Sequence, residues 1–238
     1  KRIVLPEGED ERILRASDSA LEKRIANIIL IGNRDNILKR AKQLNLKSLE
    51  NDADIVDPTS HQKKDHYANL LYELRKHKGI TKDEAFNLVE DPLYLGTVMI
   101  KNGDADGQVA GAVNATRDVL RSGFQVVKTM PKISVISGAF IMVLNNKDFG
   151  ENGVMIFADC AVLPAPDAEQ MAEIAIASTH TARTLCEFEP RIAMLSFSTK
   201  GSAAGDEAQK VVDATNLAKE KDPNLMIDGE LQADAALV

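Results

Sequence analysis

The chain has 238 residues, 44% of them hydrophobic and 27% charged, enough for one large or two modest globular domains and too apolar for a disordered chain. A formal charge of −7, four per cent aromatics and no Trp argue against a nucleic-acid binder, which needs a basic face and stacking platforms. No apolar run approaches a membrane span and no basic-then-apolar leader opens the chain, so the reading is a cytoplasmic protein with no membrane segment.

Arg2 to Pro6 reads as a short strand, and Asp10 as the cap of a helix whose inner face is Ile13, Leu14, Leu21 and Ile25. Ala26 to Gly32 is a continuous apolar strand of the kind a parallel sheet buries on both faces. A helix (Asp35 to Gln43), a strand (Ala53 to Asp57) and a helix carrying Tyr67, Leu70, Leu71 and Leu74 follow. That helix ends in Arg75-Lys76-His77-Lys78-Gly79, basic residues and then a glycine, which is a C-terminal signature. Two more helical segments, Lys82 to Glu90 and Pro92 to Lys101, lead to the stretch Ala105–Gly123. There an alternating strand through Val109 and Gly111 gives way to small residues, then Arg121 and a helix through Phe124, Val126 and Val127. Strand, small-residue turn and helix start aim free backbone N–H groups at an anion, and an arginine beside them adds a forked donor.

Past a domain boundary placed near Pro131, Ser134–Leu144 and Gly153–Asp159 read as an antiparallel hairpin. A helix from Asp167 to about Cys186 presents Ile174, Ser178, Thr181 and Leu185 on one face. A strand from Arg191 to Phe197, a helix with Ala208, Val211, Val212 and Thr215 inward, and a strand at Leu225–Asp228 complete the pattern. The fold class is α/β: two α/β/α domains, 1–131 and 132–238, with mostly parallel sheets and an antiparallel hairpin in the second.

Ser196 to Ala203 lies past a strand and before a helix, where α/β proteins place ligands, although its Gly and Lys spacing is not that of a Walker A loop. Asp159, Asp228, Glu230 and Asp234 stand near strand ends as caps, a general base or metal ligands. Arg12, Arg75 and Arg121 each fall near a predicted helix end. His61, His66, His77 and His180 have no metal spacing, and Cys160 and Cys186 read as reduced core thiols. Asn114-Ala115-Thr116 matches a glycosylation sequon, which is set aside without a secretory signal.

Together these pieces resemble the phosphate acetyltransferase (phosphotransacetylase) family within the phosphate acetyl/butyryltransferase group. The resemblance rests on Ile3–Glu7 with Asp10 and Arg12, Tyr72–Gly79, Asp106–Arg121, Phe157–Asp159, Ala193–Ala203 and Asp228–Ala236, in order along almost the whole chain. It implies acetyl transfer between acetyl phosphate and coenzyme A at a cleft between two domains, with coenzyme A as substrate, no resident cofactor and no metal. Arg75 and Arg121 are then associated with acetyl phosphate, and Arg12 with the coenzyme A phosphates. Asn114, Thr116, Ser198, Thr199, Lys200, Gly201 and Ser202 complete the expected substrate contacts. The family runs on past the Asp228–Ala236 motif, in a tail that carries a serine–arginine pair, an aspartate general base and much of a homodimer contact. A fragment with little or no turnover alone is therefore expected. Two other readings stay open at this point: a non-catalytic acyl-CoA-sensing module, and a metal-dependent decarboxylating dehydrogenase relying on carboxylates such as Asp228 and Asp234. Acyl preference and reaction direction stay open too.

Overall fold

The computed structural model describes residues 1–131 and 133–237, which divide into two compact units at Lys128/Thr129. In the first, β1 (Arg2–Leu5), β2 (Asn27–Ile31), β3 (Asp54–Val56) and β4 (Gly107–Gln108) form one parallel sheet in the order β3-β2-β1-β4. Side-chain alternation sends Val4, Ile29 and Ile31 to one face, and Leu5, Ile28 and Leu30 to the other. Against the first face pack α4 (Lys64–Arg75), α5 (Lys82–Leu88), α6 (Pro92–Asn102) and α7 (Thr116–Val126), through Leu71, Ala85, Val98 and Val126. Against the second pack α1 (Glu11–Glu22), α2 (Arg34–Gln43) and α3 (Lys47–Asp52), through Leu14, Ile37 and Leu49. The unit is thus a three-layer α/β/α sandwich, the arrangement that buries a parallel sheet on both faces.

Three local readings change here. Ile25 is 70% exposed, because α1 stops at Glu22 and Arg24 turns the chain at φ +53 before Ile25. The strand expected through Val109 and Gly111 is only Gly107–Gln108, since the backbone beyond is claimed by a side chain described below. Helix α3 escapes the periodicity reading because its buried anchors are only Leu46 and Leu49, one helical turn apart.

In the second unit, β5 (Ala139–Val143) pairs antiparallel with β6 (Val154–Ala158). Separately, β7 (Arg191–Leu195) pairs parallel with β8 (Met226–Leu231). Helices α8 (Ala168–Thr181) and α9 (Asp206–Lys221) cover β7 and β8 through Ala172, Ala175, Val211, Ala214 and Ala218. A short α10 (Ala233–Leu237) follows. The hairpin's first strand is shorter than Ser134–Leu144 because Glu173 holds the Ser134 N–H and hydroxyl, and Asp159 holds the Gly138 N–H, as a loop. Leu185 is 70% exposed: the last turn, Ala182–Cys186, is a π-helical turn that shifts the side-chain register outward. Ile174 is buried, as expected, and the rest of the buried face is Ala172, Glu173, Ala175 and Thr179, continued by Ala182.

Candidate functional site

The turn after β4 is the clearest anion cradle in the sequence, and the protein fills it with its own anion. Glu7, just past the end of β1, reaches the loop after the paired strand β4. Its carboxylate accepts the N–H groups of Gly111 (3.0 Å), Ala112 (2.8 Å), Val113 (2.8 Å) and Asn114 (2.7 Å), and the Asn114 side-chain amide at 3.0 Å. The residue is only 8% exposed. Burial pushes the carboxyl up, but the N–H groups of Asn114, Val113 and Ala112 outweigh it and leave it below the usual glutamate range. The expectation that these amides stand free for a substrate anion is therefore overturned. Thr116 opens α7 as an exposed residue, and the N-cap, Ala115, has no side-chain acceptor to offer.

Arg12 belongs to the same frame. Asp10 caps α1 by accepting the Arg12 N–H, and its carboxylate takes a forked bond from Arg12 Nε (2.9 Å) and Nη2 (2.8 Å). Nη2 also donates to the Ala112 carbonyl at 2.6 Å. Arg12 holds Asp10 at a pKa of about 2, and the Arg12 side chain is 67% exposed, so the guanidinium stays charged and open to solvent.

Arg75 and Arg121 lie in the same unit. Arg75 is the last residue of α4, whereas Arg121 sits midway along α7, not near a helix end as its sequence position suggests. Arg121 pairs with Asp118 at 3.2 Å. Tyr94 of α6 is buried, with its hydroxyl donating to Gln125 at 2.9 Å. Burial raises the Tyr94 pKa, and the positive charges of Arg121 and then Arg75 oppose that rise, so both guanidinium groups act on one phenol. No single-residue pattern marks Tyr94 in the sequence, because it sits in an otherwise apolar helix.

The loop after β7 is also internally satisfied. Ser198 is fully buried; its Oγ accepts the Ala203 N–H at 3.1 Å and lies 3.1 Å from Glu230 Oε1. Gly201 donates its N–H to the same Glu230 oxygen at 2.6 Å. Thr199 donates its N–H to Ser202 Oγ (3.0 Å) and accepts the Gln232 N–H at 2.8 Å. Lys200 is held by Asp228 and the Gly229 carbonyl. Lys200, Gly201 and Ser202 remain exposed.

The other singled-out groups have structural partners. Asp159 accepts the N–H groups of Gly138, Ala161, Val162 and Leu163, and Asp234 accepts that of Ala235. His61 stacks on Tyr67 with ring centroids 5.4 Å apart, and burial lowers its pKa. His66 bonds to Asn102 at 2.8 Å. Cys160 and Cys186 are free thiols. Among the described residues no three His, Cys, Asp or Glu side chains converge as a metal site, and no helix is long and apolar enough to cross a membrane.

The family model described as "Phosphate acetyl/butaryl transferase" matches residues 1–238. A phosphate acetyltransferase of Thermoanaerobacterium thermosaccharolyticum is 52% identical over 238 residues, all of this chain and 71% of that protein. One of Clostridium acetobutylicum is 47% identical over 237 residues, again 71% of its length. The crystal structure of a phosphotransacetylase from Streptococcus pyogenes superposes with a TM-score of 0.91 at 38% identity, over 100% of this chain and 70% of that one.

Proposed function

The chain belongs to the phosphate acetyl/butyryl transferase family, and on that premise we propose that it moves an acetyl group between acetyl phosphate and coenzyme A. The observation that carries this reading is 52% identity over the full 238 residues to a protein named phosphate acetyltransferase. The local chemistry supports it. Two guanidinium groups of the same unit, both acting on the charge of the Tyr94 phenol, suit a phosphate, whose oxygens take forked, charge-assisted bonds. In the proposed reaction a general base, which the resemblance places in the family's tail beyond Ala236, takes the coenzyme A thiol proton, and the thiolate attacks the acetyl carbonyl. The tetrahedral oxyanion collapses, the carbonyl–phosphate C–O bond breaks, and Arg75 and Arg121 hold the departing phosphate.

Arg12 would take the coenzyme A phosphates. Asn114, Thr116, Thr199, Lys200, Gly201 and Ser202 would line the substrates, while Ser198 serves them indirectly by fixing its loop. Coenzyme A enters as substrate, and the reaction asks for no resident cofactor or metal. Asp159 and Asp228 are poor candidates for the base: backbone N–H groups hold the first, and the Lys200 hydrogen bond and charge hold the second, below the usual aspartate range.

Thioester formation from acetyl phosphate and coenzyme A tests the reading, in the complete gene product and in the 238 residues alone, where little turnover is expected. Arg121→Ala should lower kcat/KM by about 100-fold. No thioester from the parent gene product would sink the proposed reaction, and an Arg121→Ala variant within threefold of the parent would remove the arginine from it.

A cytoplasmic homodimer is proposed as well, supported by the apolar β5–β6 hairpin, where Phe140 is 56% and Val143 70% exposed. A monomer in sedimentation velocity, or recovery with membranes on fractionation, would overturn that proposal.

A further inference from the structure

Glu7 holds no free acceptor capacity for chemistry. Its two oxygens already take four backbone N–H groups and one side-chain amide. A carboxylate so engaged fixes backbone; it does not shuttle protons. What it fixes is specific. Ala112 gives its N–H to Glu7 at 2.8 Å and its carbonyl to Arg12 Nη2 at 2.6 Å. One residue is therefore gripped from two sides, by the carboxylate through nitrogen and by the guanidinium through oxygen. The remaining bonds of Arg12 run to Asp10, three residues past Glu7, by Nε and Nη2, so Nη1 takes no part in them. Asn114 is set by the same carboxylate through both its main-chain and side-chain nitrogens.

We infer that Glu7 is a positioning residue for coenzyme A: it holds the Ala112 carbonyl where Arg12 needs its third anchor, and holds Asn114 beside it. This rests on the proposed assignment of Arg12 to the coenzyme A phosphates. A guanidinium on a 67% exposed side chain has many orientations, and a phosphate-binding fork works only when those are few. The Asp10 fork and the Ala112 carbonyl select one. Neither Arg75 nor Arg121 bonds to this carboxylate, so the effect should fall on one substrate only.

The test is a double-mutant cycle of Glu7→Gln with Arg12→Ala in the complete gene product. Glutamine keeps the shape but turns an amide N–H toward donors already aimed at an acceptor, so the turn must relax. Glu7→Gln should raise the KM for coenzyme A about tenfold, with kcat and the KM for acetyl phosphate within twofold of the parent. In the Arg12→Ala background the further rise should be about threefold or less, since the guanidinium it positions is gone and only Asn114 remains to be displaced. An equal rise in both backgrounds, or a matching rise for acetyl phosphate, would show a general structural role and overturn the inference. If the glutamine variant melts below the assay temperature, Glu7→Asp, which keeps the charge but withdraws it by one methylene, enters the same cycle. Should the parent form no thioester, the reaction assignment fails separately. Calorimetric coenzyme A affinities of the same four proteins then decide the positioning role by the same pattern, and an absence of coenzyme A binding by the parent overturns it.

Discussion

The loops at 109–114 and 198–203 are built on one plan in two different units. Each follows a strand of a parallel pair, β4 beside β1 and β7 beside β8. In each, a glutamate just past or within the neighbouring strand, Glu7 or Glu230, accepts the N–H of a glycine with positive φ, Gly111 or Gly201. The difference lies in how the other amides are satisfied. In the first loop a single carboxylate takes four amides in a row. In the second the acceptors are spread: Ser202 Oγ, the Glu230 carbonyl, the Glu230 carboxylate, the Thr199 carbonyl and Ser198 Oγ take the amides of residues 199 to 203 in turn. Both loops have thus spent most of their backbone donors internally. The cations beside them, Arg12 in one unit and Lys200 in the other, stay exposed. Only the first loop stakes its geometry on one charge.

That contrast predicts unequal losses. Glu7→Ala leaves several inward-facing N–H groups without an acceptor, and should cost about 3 kcal/mol of unfolding free energy at pH 7, allowing for partial rescue by water. Glu230→Ala removes one amide's acceptor and one hydroxyl's, and should cost clearly less. The sign with pH follows from the depressed Glu7 pKa. A group held below its unfolded value stabilises the fold above that unfolded pKa, and the stabilisation drains away as pH falls through the folded value. The gap between parent and Glu7→Ala should therefore be full at neutral pH and narrow in acid, below the ordinary glutamate pKa of about 4.3. Denaturant melts at a series of pH values measure it. A gap that stays constant into acid would mean that shape, and not charge, holds the turn.

Much of the first unit is legible from local pattern. The apolar run at Asn27–Ile31 announces a strand buried on both faces, and Tyr67 and Leu71 announce the inner face of α4. The arginines stand out because few other cations border small-residue turns, and the family resemblance names them. The partners of these groups are not legible. Glu7 lies 104 residues before Gly111, and Glu230 lies 29 residues after Gly201. Nothing in local spacing says that the anion facing each cradle comes from the protein itself. A cradle that binds an external phosphate and one that binds an internal carboxylate carry the same small-residue signature, because both need close backbone approach. Tyr94 is hidden for a related reason: the charges that act on its phenol come from α4 and α7, and the phenol itself looks like core.

The glycines give the finest division between the two loops. A Cβ added at Gly111 or at Gly201 would meet no heavy atom within 4 Å, so alanine tests backbone conformation and not space. Gly201 sits at φ +80, near the left-handed basin that an L-residue enters at about 1 kcal/mol. Gly111 sits at φ +118, outside that basin, where about 2 kcal/mol is the expected strain. Alanine at 201 can relax toward the basin, because its amide is one donor among several acceptors. Alanine at 111 cannot do so without dragging the three following amides off the Glu7 carboxylate. Gly111→Ala should therefore lose about 1 kcal/mol more than Gly201→Ala in matched denaturant melts, the difference in strain between the two basins. Equal losses would mean that the first loop yields as readily as the second, and that one charge holding four amides is no stiffer a fastening than five scattered acceptors.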